Sequence, residues 1–513
     1  MRNWTRQTAC AGGVALASSF TLLAVLALGA RNAYSKPSAM AARVTLSPGA
    51  NIQNAIDSNP AGTTFLLNPG VYHGSVTLTQ NGDSFIGKRG AIMDGAYPLT
   101  GWTQALVSGV LYWTTTNGTP LPPFACGVFY GCCVTGYEAC VYPQNLYVDN
   151  VEYQHATSLA NVTAGINWYY DYSGTDGGIL NNIYMAAGDM PNSHTVELGK
   201  EPYAFGGSAG NITIKNLIIE KYAAPLNSGA INVQGQNWII QNNEVCLNHG
   251  EGITAKIGGD NIQVLGNNVH NNGQLGIGGP GNGGLWDSNT VAFNNTDYVN
   301  PDFEAGGSKF NGNQVTISNN VAHDNYGPGL WTDVNATYNT YDHNTSYNNY
   351  KGGIRYEISR YGVITNNTVY GNTNSAEVVY TGSDHGRISG NTVVDYGWGA
   401  IGVWNIVGTR PNSNLAIYQV TDTQVTNNTV WLSSTGTDIA VGLTDFASPL
   451  EPTIFNDPSN FFDSNTYEFS GTVRNAWLWG EVPNVYLPIS WIQWLGNGQD
   501  SHAQIITNVP QPH

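Results

Sequence analysis

Short apolar–polar alternations recur along most of the chain, each followed by a turn carrying Asn or Gly, the pattern of brief half-buried strands. The segments "IIQNNEV", "VLGNNV", "LWDSNTV", "TISNNV", "YDHNTS", "ITNNTV", "RISGNTV" and "QVTNNTV" place an Asn at 243, 267, 289, 320, 344, 367, 391 and 428. Successive spacings are 24, 22, 31, 24, 23, 24 and 37, so five of seven cluster near 23 and the two long ones imply insertions. A repeat of this length built from short strands predicts an all-β solenoid, a parallel β-helix whose coils stack about 4.8 Å apart. Equivalent residues then form axial ladders, and the Asn column is expected to hydrogen-bond from coil to coil. The many Asn-x-Thr triplets are accordingly read as by-products of the ladder and not as glycosylation sites.

The pattern changes at three places. "NIQNAIDSNP" predicts a short amphipathic helix at about Ile52–Asp57 that covers the first coil, so 44–101 is read as N-terminal cap and first coil. Between 102 and 201 the period disappears, cysteines cluster and aromatic strands such as "QNLYVDNVEYQHA" appear, which predicts an inserted antiparallel β subdomain. Coils are expected over 202–445, and 446–513, with "WIQWLGNGQD", is expected to cap the far end.

Composition narrows the partners. Charged residues are 10% of the chain, glycines number 62, and the formal net charge is −17. This excludes a basic stripe for nucleic acid and fits a neutral or locally steered ligand. Arg2 and Arg6 precede an apolar run over about 14–28, so residues 1–35 read as a secretory signal cleaved near Ala30 or Ser35, with an uncleaved anchor as the alternative. The expected location is therefore extracellular, periplasmic or at the cell surface. Cys126, Cys132, Cys133 and Cys140 in "CGVFYGCCVTGYEAC" suggest one or two disulfides, with a structural metal as the alternative; Cys246 reads as a buried small hydrophobe.

These segments, with "NITIKNLIIEKYAAPLNSGAI", "EAGGSKF", "GPGLWTD", "GIRYEIS" and the closing "GQD", resemble a bacterial family of secreted right-handed parallel β-helix proteins with the pectin-lyase-like fold. The resemblance runs from about Val44 to the end and implies carbohydrate-active chemistry without choosing a reaction. The polygalacturonase "NTD" and "GHG" pair and the alginate-epimerase "YGFDPH" are missing from the sequence.

Counting 13 residues from each ladder Asn gives Lys256, Pro280, Asp333, Glu357, Tyr380 and Trp404; counting back 11 from Asn320 adds Lys309. Lys309, Asp333 and Glu357 are thus expected in one outward row on three consecutive coils, with Trp331 and Arg355 beside them on the same face. A register slip near Val378–Thr381 leaves Tyr380 either in the row or next to it. Two carboxylates this close repel, and a pair in which one stays protonated suits glycoside hydrolysis. The insertion "NNTDYVNPDFEAGGSKF" adds Asp302, Phe303 and Glu304 as a wall of the cleft; Phe303, Trp331 and Trp404 are candidate sugar platforms.

Three functions follow. The preferred one is a glycoside hydrolase acting on a polysaccharide, with Asp333 and Glu357 as the pair, Lys309 completing the catalytic set, and Glu304, Trp331, Arg355, Lys256, Phe303 and Trp404 binding substrate. The second is a polysaccharide lyase or epimerase using Lys309 as base, with Arg355 or Ca²⁺ on Asp302, Glu304 and Asp333 neutralising the intermediate. The third is a non-catalytic glycan-binding or adhesion protein. The same charges could instead form a salt-bridge ladder, Lys309 with Asp333 and Arg355 with Glu357. Ca²⁺ is the one cofactor these readings admit, without fixing it, and a monomer is expected. His249, His270 and His323 are assigned to turn packing and His385 to the rim.

Overall fold

The computed structural model describes residues 42–116, 120–126, 132–174, 178–395, 399–406, 419–447, 450, 452–481 and 487–512. The expected signal at 1–35 lies outside the described residues. Three long parallel sheets, of 13, 13 and 12 strands, run the length of the molecule, and each coil adds one strand to each sheet. The first sheet begins at Arg43–Leu46 and ends at Phe461–Asp463, the second runs from Gly70–His73 to Gln504–Ile506, and the third from Val76–Thr77 to Trp477–Glu481.

Strand register explains the core. In the first sheet Ile214 pairs in turn with Ile240, Val264, Trp286, Ile317, Tyr341, Ile364, Ile388, Val425 and Phe462. Every one of these is buried, so the alternation read from sequence becomes an inward column along the axis. Burying apolar area at about 25 cal/mol per Å² makes such columns the main driving force of the fold.

The Asn ladder forms at the corner between the first and second sheets. Asn243 Nδ2 donates to Asn267 Oδ1 at 3.0 Å, and the same contact repeats through Asn289, Asn320, Asn344, Asn367, Asn391, Asn428 and Asn465. Each backbone N–H of the column also donates to the next Oδ1, replacing the strand pairing that the corner interrupts. The preceding residue takes a positive φ, as at Asn242 (56°), Gly266 (61°), Asn319 (54°) and Gly390 (68°), which is why Asn and Gly dominate there. Asp500, in the closing "GQD", terminates the column by accepting from Asn465, Tyr467 and Trp494.

A second ladder stands at the corner between the second and third sheets. It runs through Asn248, Asn272, Asn294, Asn325, Asn349 and Asn372 and ends on Glu377. Burial raises the Glu377 carboxyl well above its usual range.

The helix Ile52–Asp57 covers the first coil as expected, capped by Asn51 and burying Ile52 and Ile56. Three strands of the first sheet precede residue 101, so more than one coil lies ahead of the insertion. Coils also continue past 445: Phe461–Asp463, Thr466–Phe469 and Trp477–Glu481 extend all three sheets. The sequence boundary was early because the Asn spacing stretches to 37 residues between 391, 428 and 465, hiding the period. The end itself is covered by the helix Trp491–Gly496, which buries Trp494 against Phe462 and Trp479.

The inserted subdomain is an eight-stranded sheet from Ala96–Pro98 to Val196–Gly199, antiparallel except where Val151–His155 runs parallel to Asn167–Tyr170. Its own core gathers Trp102, Leu146, Trp168, Tyr170, Ile183, Met185 and Leu198. Cys126–Cys132 and Cys133–Cys140 form two disulfides in the loop, so the metal alternative is set aside. Cys246 is fully buried, in keeping with its reading as a small buried residue.

Candidate functional site: a charged row on the third sheet

The third sheet turns Ile253, Ile277, Phe310, Leu330, Ile354 and Tyr356 inward, leaving their neighbours on its outer face. Trp331 pairs with Arg355 and Thr332 with Tyr356, so the next residues, Asp333 and Glu357, stand side by side on adjacent coils. Their backbones are one interstrand step apart, about 4.8 Å.

Lys309 does not join that row. Gly278 pairs with Lys309 and Phe310 with Thr332, which sets Lys309 in the column of Trp331 and Arg355, two residues away. The count failed because the turn from Phe310 to the strand starting at Thr316 is two residues shorter than the turn from Thr332 to that starting at Thr340. The side chain nevertheless reaches diagonally: Lys309 Nζ lies 3.1 Å from Asp333 Oδ2 and donates to the Phe303 carbonyl at 2.6 Å. Arg355 Nε lies 2.8 Å from Glu357 Oε2. Each acid therefore has its own cation, and the expected repulsion between two bare carboxylates is offset locally. The Val334 N–H adds a donor to Asp333 at 2.8 Å.

This row is buried rather than solvent-facing. Trp331 and Glu357 are 1% exposed, Asp333 2% and Lys309 5%, while Arg355 is half-buried. Buried ions of this density contribute little to stability once desolvation is counted, so a salt-bridge ladder alone does not account for them. Trp331 is also not the open platform expected of it. The Lys309 ammonium sits 4.2 Å from its ring centroid and the Arg355 guanidinium 5.5 Å, so the indole packs against both cations.

The remaining candidates separate. Tyr380 pairs with Tyr356, stacks on it at 5.1 Å and belongs to the core; Thr381 takes the outward place after Glu357. Trp404 follows Thr381 in register, half-buried and edge-on to Phe446 at 6.0 Å. Lys256 follows Ala255 at the other end of the row, and its ammonium donates to the Asn227 carbonyl. Phe303 and Glu304 are half-buried and bound mainly through their backbones, Phe303 by Lys309 and Glu304 by Gln274 Nε2 at 2.7 Å. Asp302 turns to Lys351 at 2.9 Å.

A Ca²⁺ cage of Asp302, Glu304 and Asp333 does not form, because Asp302 and Asp333 face different lysines. Among the described residues the only gathering of three metal-ligand atoms within 4.8 Å is Glu244, Cys246 and His270, which lies on the second sheet and not in this row.

Sequence reasoning missed Glu251. It is buried at the start of the strand Glu251–Ala255 and accepts from the Thr254 hydroxyl. Burial raises its carboxyl above the usual range, opposed by Lys256, Thr254 and Lys309 and reinforced by Glu304. Thr254 shares the column of Gly278 and Lys309. Thr254 was within reach of the ladder count, since it follows Asn243 by 11 residues as Trp331 follows Asn320.

Residues 229–442 match the family described as the right handed beta helix region. Built on three long parallel sheets, the chain has the right-handed parallel β-helix fold, all-β, with an inserted mixed sheet. No curated protein matches the sequence. Among solved structures it is similar to XylC in complex with xylose, at 14% identity over 86% of this chain and 87% of that one, with a TM-score of 0.62. It is also similar to the A-module of the Azotobacter vinelandii mannuronan C-5 epimerase AlgE6 (16% identity, 90% and 95% covered, TM-score 0.49). A third is the GH87 α-1,3-glucanase of Streptomyces thermodiastaticus (10% identity, 91% and 70% covered, TM-score 0.42). The likeness to XylC bears on the fold alone. No helix among the described residues is long and apolar enough to cross a membrane.

Proposed function

We propose that this protein is a glycoside hydrolase, exported from the cell, in which Asp333 and Glu357 cleave the glycosidic bond of a polysaccharide. The supporting observation is two buried carboxylates in register on adjacent coils, each held by its own cation, on the outer face of the third sheet. Asp333, fixed by Lys309 and the Val334 N–H, is suited to attack the anomeric carbon. Glu357, the longer side chain, paired with the half-buried Arg355, is assigned to protonate the leaving oxygen and then to activate water. Neighbouring coils favour the short carboxyl separation of about 5 to 5.5 Å that accompanies retention of configuration.

The lyase or epimerase reading is supported less well. Lys309 is occupied as a donor to Phe303 and Asp333, an arrangement that positions a cation rather than a base. The xylose in the XylC complex makes xylan and xylo-oligosaccharides the first substrates to test. Incubation with neutral and uronate polysaccharides, following reducing ends together with the absorbance of unsaturated uronates, separates the readings. New reducing ends without absorbance, and a first product of retained anomeric configuration by NMR, are expected. Absorbance rising with reducing ends would move the assignment to Lys309 and elimination. Retained binding without turnover on any substrate would leave a glycan-binding protein.

A further inference from the structure

A cavity of about 440 Å³ lies in the cleft where the inserted subdomain meets the coils. It shares no lining residue with the charged row. Its volume falls within the roughly 300–1,000 Å³ typical of small-ligand pockets, which favour such boundaries between structural units. The solenoid supplies Phe293, Tyr298 and Tyr326 to one wall, and the disulfide loop brings Tyr137 to stack on Tyr298 at 3.9 Å. Gln154 and Asn271 contribute amides.

Two polar atoms on lining residues have no partner among the described residues. The His155 ring, 8% exposed, uses Nδ1 on the Ala156 carbonyl at 2.9 Å, while Nε2 is buried and unpaired. Burial pushes this histidine down to about 4, so at neutral pH Nε2 is a bare acceptor. The Thr296 hydroxyl is also buried without a partner. Unsatisfied buried polar atoms cost on the order of 1–3 kcal/mol each, and two around one cavity suit a ligand rich in hydroxyls. Aromatic rings meet the C–H faces of such a ligand and amides its hydroxyls. Among the described residues no Lys or Arg lines the space, whereas Glu152 and Asp324 do, so uronates and phosphates are repelled.

We propose that this cleft is a second saccharide site, taking a short neutral oligosaccharide and separate from the site of bond cleavage. The inference does not depend on the hydrolase reading, since it uses none of the same residues.

The test uses the full chain carrying Glu357→Gln, so that no oligomer is consumed, with xylohexaose, cellohexaose and maltohexaose as neutral probes and tetragalacturonate as the anionic one. Amide hydrogen exchange is followed with each probe, and Kd is measured by calorimetry. At least one neutral oligomer is expected to protect 151–157 and 293–298, with tetragalacturonate giving no protection there. Phe293→Ala is expected to raise that Kd at least tenfold. So is Gln154→Trp, which adds bulk at the cleft and leaves the packed rings intact. The proposal is overturned if no neutral oligomer protects these segments at millimolar concentration, if tetragalacturonate protects them equally, or if Kd is unchanged in both variants.

Discussion

The Asn column and the charged row are both axial stacks on the same solenoid, yet they behave differently. The Asn column repeats one contact from Asn243 to Asn465, and every amide both gives and accepts, so each coil satisfies the next. The charged row occupies a few coils only, changes residue at each step, and buries ions that must be matched individually. A column that solves a backbone problem has reason to recur wherever the corner recurs. A column that departs from the repeat, and carries desolvation in doing so, answers to something outside the fold.

The largest effect expected from breaking this comparison is chemical. Asp333→Asn and Glu357→Gln should each lower turnover by about 10²–10⁴-fold, the range associated with losing a positioned acid or base. Thermal unfolding should show the variants folded, since the changes are isosteric. Activity near that of the parent in either variant would remove that residue from the mechanism.

Next is the cation beside Asp333. Lys309→Met leaves Asp333 buried without its ion pair, and breaking a buried pair from one side costs about 3–5 kcal/mol. The double variant Lys309→Met with Asp333→Asn should recover part of that loss, measured as chemical denaturation midpoints. A double variant whose loss equals the sum of the losses in Lys309→Met and Asp333→Asn alone would show that the pair is not coupled.

The Asn column should fail more gently. Asn344→Ala removes a side chain that accepts from Asn320 and donates to the Ile317 carbonyl and Asn367, leaving partners unsatisfied at about 1–3 kcal/mol each. A lower melting temperature with unchanged turnover per folded molecule is expected. Loss of turnover without loss of stability would blur the distinction between the columns.

The repeat made the solenoid legible, because Asn and Gly at a positive-φ corner leave a mark every coil, and it made Asp333 and Glu357 legible as departures from it. The place of Lys309 was not legible, since two residues missing from the turn after Phe310 change register without changing the pattern of apolar positions. Burial of Trp331 under two cations was equally invisible: the sequence shows Trp331 and Arg355 on one face but not that Lys309 leans across them. The second Asn ladder was present in "CLNHG", "HNNGQ", "HDNYG" and "YNNYK", but it falls within the same segments as the first and was masked by it. Glu251 escaped because it opens its strand, where alternation does not say which way a side chain points.

The smallest effect concerns a third arrangement of charge, at the seam between insertion and coils. Lys221 Nζ lies 2.6 Å from Glu197, 3.6 Å from Glu220 and 3.8 Å from Asp94, so three carboxylates share one buried ammonium. Burial raises Glu220 to about 7, with Asp94 and Glu197 adding to the rise and Lys221 opposing it. An acid whose folded value exceeds its unfolded value of about 4.3 binds more protons in the folded state between those two values. Its contribution to stability therefore falls as pH rises from about 4.3 to 7, the reverse of the behaviour of a carboxylate stabilised by an ion pair. Glu220→Gln should flatten that part of the stability–pH profile while leaving the chemistry at Asp333 and Glu357 unchanged. A profile of the same slope in the variant would place the titration elsewhere, and a steeper one would mean that Lys221 had been serving Glu220 more than its neighbours.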